Sequence, residues 1–66
     1  MSVAKVIEIK ARSSESFEDA IQSGIAKAGE SVKNIQAAWV NQQQVIVENG
    51  AVSAYSVDLK ITFVVD

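Results

Sequence analysis

An α+β fold of the order β-α-β-β is expected from three features of this 66-residue chain. It opens on a segment rich in β-branched residues, continues into one segment of helical period, and ends in a long alternating half interrupted by Asn49-Gly50. The first two predict one element each and the third a pair of strands, and together they leave room for a single domain spanning residues 1–66.

The first strand is expected over residues 3–12, where Val3, Val6, Ile7 and Ile9 give β-branched character and the pattern alternates toward its end. Ser13-Ser14-Glu15-Ser16 breaks that pattern. Ser16 and Asp19 have the spacing of a capping box, with Asp a shorter partner than Glu. After them Phe17, Ala20, Ile21, Gly24, Ile25, Ala28 and Val32 fall within an arc of roughly 140° at helical period. Glu18, Gln22, Lys27 and Glu30 take the opposite face, with Lys27 and Glu30 at the spacing of a surface pair. Gly24 sits inside the apolar arc and sacrifices about 1 kcal/mol of helix propensity relative to Ala, which points to close packing there.

From Ile35 onward the period changes to that of strands. Asn49-Gly50 favours a two-residue type I′ hairpin turn. Tyr55, Val57, Leu59, Ile61, Phe63 and Val65 form an odd-numbered apolar stripe between polar or small residues, the alternation of a strand with one buried face. Arms of about 14 residues reach ~46 Å, whereas a helix of ~17 residues spans ~25 Å. The hairpin is therefore expected to project beyond the helix, which calls for subunit contacts.

Opposing residues around an Asn49-Gly50 turn have numbers that sum to 99. This register sets Val40 against Leu59, Ala38 against Ile61, Gln36 against Phe63, Gln42 against Val57 and Gln44 against Tyr55, all on the helix side. It sets Trp39 against Lys60, Ala37 against Thr62, Asn41 against Asp58 and Gln43 against Ser56 on the face turned away. A β-bulge between Gln42 and the turn would reverse that parity. Trp39, the sole tryptophan, thus falls outside the core among Asp, Lys, Thr and amide side chains. Two roles fit such a ring: a seal at a subunit interface, where aromatics are enriched, and a flat platform for a planar ligand.

Composition excludes several classes of function. Cysteine and histidine are absent, which removes disulfides and the usual zinc and iron sites. A formal charge of −2, without a basic cluster, argues against nucleic acid. Met1-Ser2-Val3-Ala4-Lys5 lacks the apolar run of a signal peptide, and no segment reaches transmembrane length, so a cytoplasmic protein without membrane contact is expected. The serines lack a base partner and no glycine-rich phosphate loop is present, so an enzyme is not expected.

The chain resembles the dodecin family over essentially its whole length. The resemblance is carried by Val6-Ile7-Glu8-Ile9, Ser16-Phe17-Glu18-Asp19-Ala20-Ile21, Ile25-Ala26-Lys27-Ala28, Val32-Lys33-Asn34-Ile35, and the run from Asn49-Gly50 through Ala54-Tyr55 to Leu59-Lys60-Ile61-Thr62-Phe63. It implies a three-stranded antiparallel sheet wrapped around one helix, self-association into a hollow homo-dodecamer, and flavin (riboflavin or FMN) storage by stacking rather than catalysis. The family's stacking tryptophan corresponds to Ala37, and Trp39 stands two residues on, about 7 Å along the same face. The family's edge-binding glutamine corresponds to Ser56, and a basic residue often found in the middle of the second strand corresponds to Gln44. The candidate cofactor-binding set is Trp39, Ala37, Gln43 and Ser56. The alternative is a flavin-free structural or ion-binding shell of the same architecture, with Asp58, Glu8 and Glu48 lining an interior or an axis and holding hard cations through oxygen in rings of symmetry-related carboxylates. Within one chain the acidic residues read as solvated surface.

Overall fold

The computed structural model describes residues 3–65. The termini of the expected 1–66 domain, including Met1 and Ser2 of the leader reading, lie outside the described residues. Strand β1 (Val3–Ser13) leads through a short turn to helix α1 (Phe17–Gly29), followed by β2 (Ile35–Glu48) and β3 (Ala51–Val65). The three strands form one antiparallel sheet in the order β1-β3-β2.

Helix α1 begins as its sequence requires. The Asp19 amide donates to Ser16 Oγ at 2.9 Å, satisfying one of the free N–H groups of the first turn. The reciprocal half of the capping box is replaced: Asp19 Oδ2 accepts from the buried Ser13 hydroxyl at 2.7 Å. Ser13 Oγ also accepts from the Glu15 amide at 2.8 Å. A short Asp side chain thus reaches the end of β1 and ties strand to helix. The helix stops at Gly29, earlier than the apolar arc through Val32 predicts. Val32 is still held to the last turn, its amide donating to the Ala28 carbonyl at 2.9 Å. Asn34, at φ 63°, then turns the chain into β2, a conformation Asn tolerates better than most residues.

The core forms where the odd-numbered stripe of β3 meets the helix. Ala20, Val57, Leu59 and Ile61 are fully buried, with Ile7, Ile9, Phe17, Ile21, Ile25 and Ala38 packed around them. Phe17 and Tyr55 meet edge to face with centroids 5.1 Å apart. Gly24 provides the close approach: a Cβ there would lie 2.8 Å from the Ala11 Cβ.

The hairpin turn is type I′ in its backbone signs, with Asn49 at φ 53° and Gly50 at φ 77°. Away from the turn the register departs from the expected one. Val47 faces Val52, but a one-residue shift between Ile46 and Val47 sets Ile46 against Ala54 and Val45 against Tyr55. A second shift between Val40 and Gln42 restores the original register, so Val40 faces Leu59, Trp39 faces Lys60, Ala38 faces Ile61 and Ala37 faces Thr62. A further irregularity at Gln36 leaves Ile35, rather than Gln36, opposite Phe63.

The molecule measures 52 × 19 × 14 Å, while a 13-residue helix covers only ~20 Å of that length. Val45, Val47 and Val52, near the hairpin turn, stay exposed.

Candidate functional site

The sheet face turned away from α1 is built in rows across all three strands. Val6, Thr62 and Ala37 form one row; Glu8, Lys60 and Trp39 form the next. Lys10, Asp58 and Gln42 follow, then Arg12, Ser56 and Gln44. Period-two alternation puts these side chains on one side because their β3 members are even-numbered, opposite to the buried odd stripe.

Trp39 is 68% exposed on this face. Its cross-strand neighbour Lys60 places its ammonium 5.6 Å from the ring centroid, within cation–π range. Ala37 and Ser56 lie on the same face, as the sequence predicts. Gln43 does not: it faces Val57, whose side chain belongs to the core, and Gln42 and Gln44 take the outward positions instead. The cause is the irregularity at Asn41, which adds one residue to β2 and reverses every side chain between the two register shifts. For the same reason Gln42 rather than Asn41 faces Asp58, Gln44 rather than Gln43 faces Ser56, and Val45 rather than Gln44 faces Tyr55.

A shallow cavity of about 290 Å³ opens beside Lys10, Gln42, Gln43, Gln44, Ser56, Val57 and Asp58. Asp58 is only 8% exposed although no helix covers it. Its Oδ1 is buried and has no hydrogen-bond donor. Glu8, diagonal to it across β1 and β3, has its carboxyl held above the ordinary value of 4.5. The hydrogen bond to Asp58 is the main cause and the Asp58 charge the next, partly offset by Lys60 and Lys10. Two ionised carboxylates have no donor between them; a proton on Glu8 supplies one to Asp58.

The register read from the sequence already set Lys60 against Trp39. The adjacency of Glu8 and Asp58 was not legible there, because it rests on the pairing of β1 with β3, which joins residues some fifty positions apart. Among the described residues, no cluster of three or more Asp, Glu, His or Cys side chains stands ready to hold a metal ion. None of the described helices is long and apolar enough to cross a membrane.

The family model for Dodecin matches residues 3–66. The chain belongs to the dodecin family. Calcium dodecin from Mycobacterium tuberculosis is 35% identical to it over 63 residues, covering 96% of this chain and 89% of that protein. The structure of an arginine-to-alanine variant of Thermus thermophilus dodecin superposes with a TM-score of 0.93 at 26% identity, covering 100% of this chain and 98% of the other. The structure of M. tuberculosis calcium dodecin, described as having a novel calcium-binding site, gives a TM-score of 0.82 at 34% identity over 92% of this chain and 87% of that one. The β-α-β-β order and three-stranded antiparallel sheet around one helix are therefore those of a dodecin subunit.

Proposed function

We propose that this dodecin is a non-enzymatic, cytoplasmic binding and storage protein that assembles as a homo-dodecamer and holds flavin by stacking on Trp39. The observation that carries the reading is the 68% exposure of the sole tryptophan on a polar sheet face. A ring exposed to that degree contributes little to its own subunit's core, yet it presents a large flat surface. With Ala37 in place of the family's tryptophan, a planar ring system would lie nearer the hairpin, on Trp39. Offset stacking there contributes about 0.5–1.5 kcal/mol per aromatic pair beyond area burial. Ser56, with Gln42 and Gln44 in the positions that Gln43 was expected to share, supplies hydrogen bonds for a ring edge. Close contact with an indole also quenches an excited flavin, so the role is physical sequestration rather than turnover. The exposed valines of the hairpin favour self-association, since apolar side chains left open in a subunit are buried by a partner copy.

Titration with riboflavin and with FMN tests the reading. Expected are saturable quenching of both Trp39 and flavin fluorescence at micromolar flavin, and its loss in Trp39→Ala with the assembly mass unchanged. Absence of quenching at that concentration overturns flavin binding. A monomer mass by light scattering overturns the assembly. Dissociation of Trp39→Ala would instead make the ring a subunit seal.

The likeness to a calcium dodecin favours a second reading, a flavin-free shell that binds ions. Calorimetry with calcium on the purified assembly distinguishes it: heat with calcium and no quenching with flavin selects the ion-binding shell.

A further inference from the structure

Lys60 stands between two attractions. On one side is the Trp39 ring, 5.6 Å from its ammonium. On the other is Glu8, its cross-strand partner in β1, whose carboxyl lies diagonal to Asp58 across the two strands. At an exposed site a cation–π contact and a lysine–carboxylate pair are of similar strength. Which one Lys60 keeps is therefore decided by the charge on Glu8.

The charged groups facing Glu8 can be named strand by strand. β1 contributes Lys10, and β3 contributes Lys60 and Asp58. In β2 the facing row positions are Trp39 and Gln42, neither charged. Helix α1 packs on the other side of the sheet. One Asp58 oxygen, Oδ1, is buried without a donor. A neutral Glu8 gives that donor and leaves Lys60 to the indole. An ionised Glu8 sets two carboxylates side by side and makes the nearest ammonium their best counter-ion.

We propose that Lys60 is a two-position side chain, resting on Trp39 while Glu8 keeps its proton and moving to the carboxyl pair when that proton leaves to solvent, so that deprotonation uncovers the indole for a stacking ligand. Trp39 is thus a proton-gated aromatic platform. Lys60 and Glu8 are positioning residues, acting on a ligand only through the ring. Stacking draws Lys60 to the carboxyl pair and releases a proton, so affinity for a planar ligand rises with pH. The ligand half of this inference rests on the stacking role proposed for Trp39; the movement of Lys60 does not.

The test uses the intact assembly, with its mass followed by light scattering across the pH range. Trp39 is the only tryptophan, so acrylamide quenching of its emission reports the cover on one ring. Between pH 4 and 8 the quenching constant of the wild type is expected to rise along one sigmoid. Glu8→Gln fixes it at the acid value and Lys60→Met at the alkaline value. Asp58→Asn moves the midpoint to lower pH. Riboflavin affinity is expected to rise roughly threefold over the same range, the size of one exposed cation–π contact, and to become pH-independent in Glu8→Gln. A flat wild-type profile, or a sigmoid unchanged in Glu8→Gln, overturns the gate. If the sigmoid is present and riboflavin does not quench, the gate stands and the flavin reading falls. If riboflavin binds with no sigmoid, the reverse holds.

Discussion

Gly24→Ala separates close packing from helix propensity, because the two act in opposite directions at this position. In an open helix interior, replacing Gly with Ala stabilises by about 1 kcal/mol. Here the new Cβ would stand 2.8 Å from the Ala11 Cβ, 3.4 Å from Leu59 Cδ1 and 3.6 Å from Ile9 Cδ1. The leucine and isoleucine ends can adjust, but Ala11 Cβ is fixed to the β1 backbone and has no rotamer to escape into. Relief therefore requires helix and strand to part, an overpacking cost of about 1–3 kcal/mol. The net expectation is a loss of about 0–2 kcal/mol once the propensity gain is offset. Urea denaturation followed by circular dichroism measures it, at one fixed protein concentration because assembly makes apparent stability concentration-dependent. Ala11→Gly removes the opposing carbon, so the double variant keeps the helix gain without the clash. The cycle should show favourable coupling of about 0.5–3 kcal/mol. If Gly24→Ala alone is more stable by about 1 kcal/mol and the two changes add, α1 is not held against Ala11 and close packing at Gly24 is refuted.

Two further perturbations probe the helix start and the carboxyl pair. Ser16→Ala removes the acceptor of the Asp19 amide and should cost about 1 kcal/mol in denaturant unfolding, whereas Ser13→Ala, which strips a buried hydroxyl with three partners, should cost more. Glu8→Gln should change stability with pH in one direction. The folded chain holds the Glu8 proton more tightly than the unfolded one, so this residue's favourable contribution is complete below the ordinary value of 4.5 and is lost as pH rises through the raised folded value. Thermal unfolding should therefore find the variant more stable than wild type at pH 7 and level with it near pH 4; the opposite order would mean that Lys60 and Lys10 outweigh Asp58.

The elements were legible because each has its own local cause: the capped start of α1, the Asn-Gly turn and the odd-numbered stripe of β3 act over a few residues. Trp39 kept its expected face for a less local reason. The two register shifts between it and the turn fall on opposite strands and cancel, so the residues beyond both return to the original pairing. Gln43 lies between the shifts and was reversed. Its surroundings explain why the sequence carried no warning. Residues 41–44 are all amides, so neither parity buries more apolar surface, and register is weakly specified where both faces are polar.

The helix ending at Gly29, rather than continuing through Val32, bears directly on assembly. A 13-residue helix gives the sheet about 20 Å of cover along a 52 Å molecule. Shortening α1 does not shorten the hairpin, because Asn49-Gly50 fixes its tip and the β3 stripe fixes its inner end on the core. The uncovered length grows accordingly. Val45, Val47 and Val52 near that tip are 42%, 57% and 50% exposed, in a chain without cysteine to staple it. A domain of this size has little core from which to offset such exposure. The missing turn of helix thus strengthens the case for self-association, since a partner copy is the one source of apolar cover the chain itself can provide.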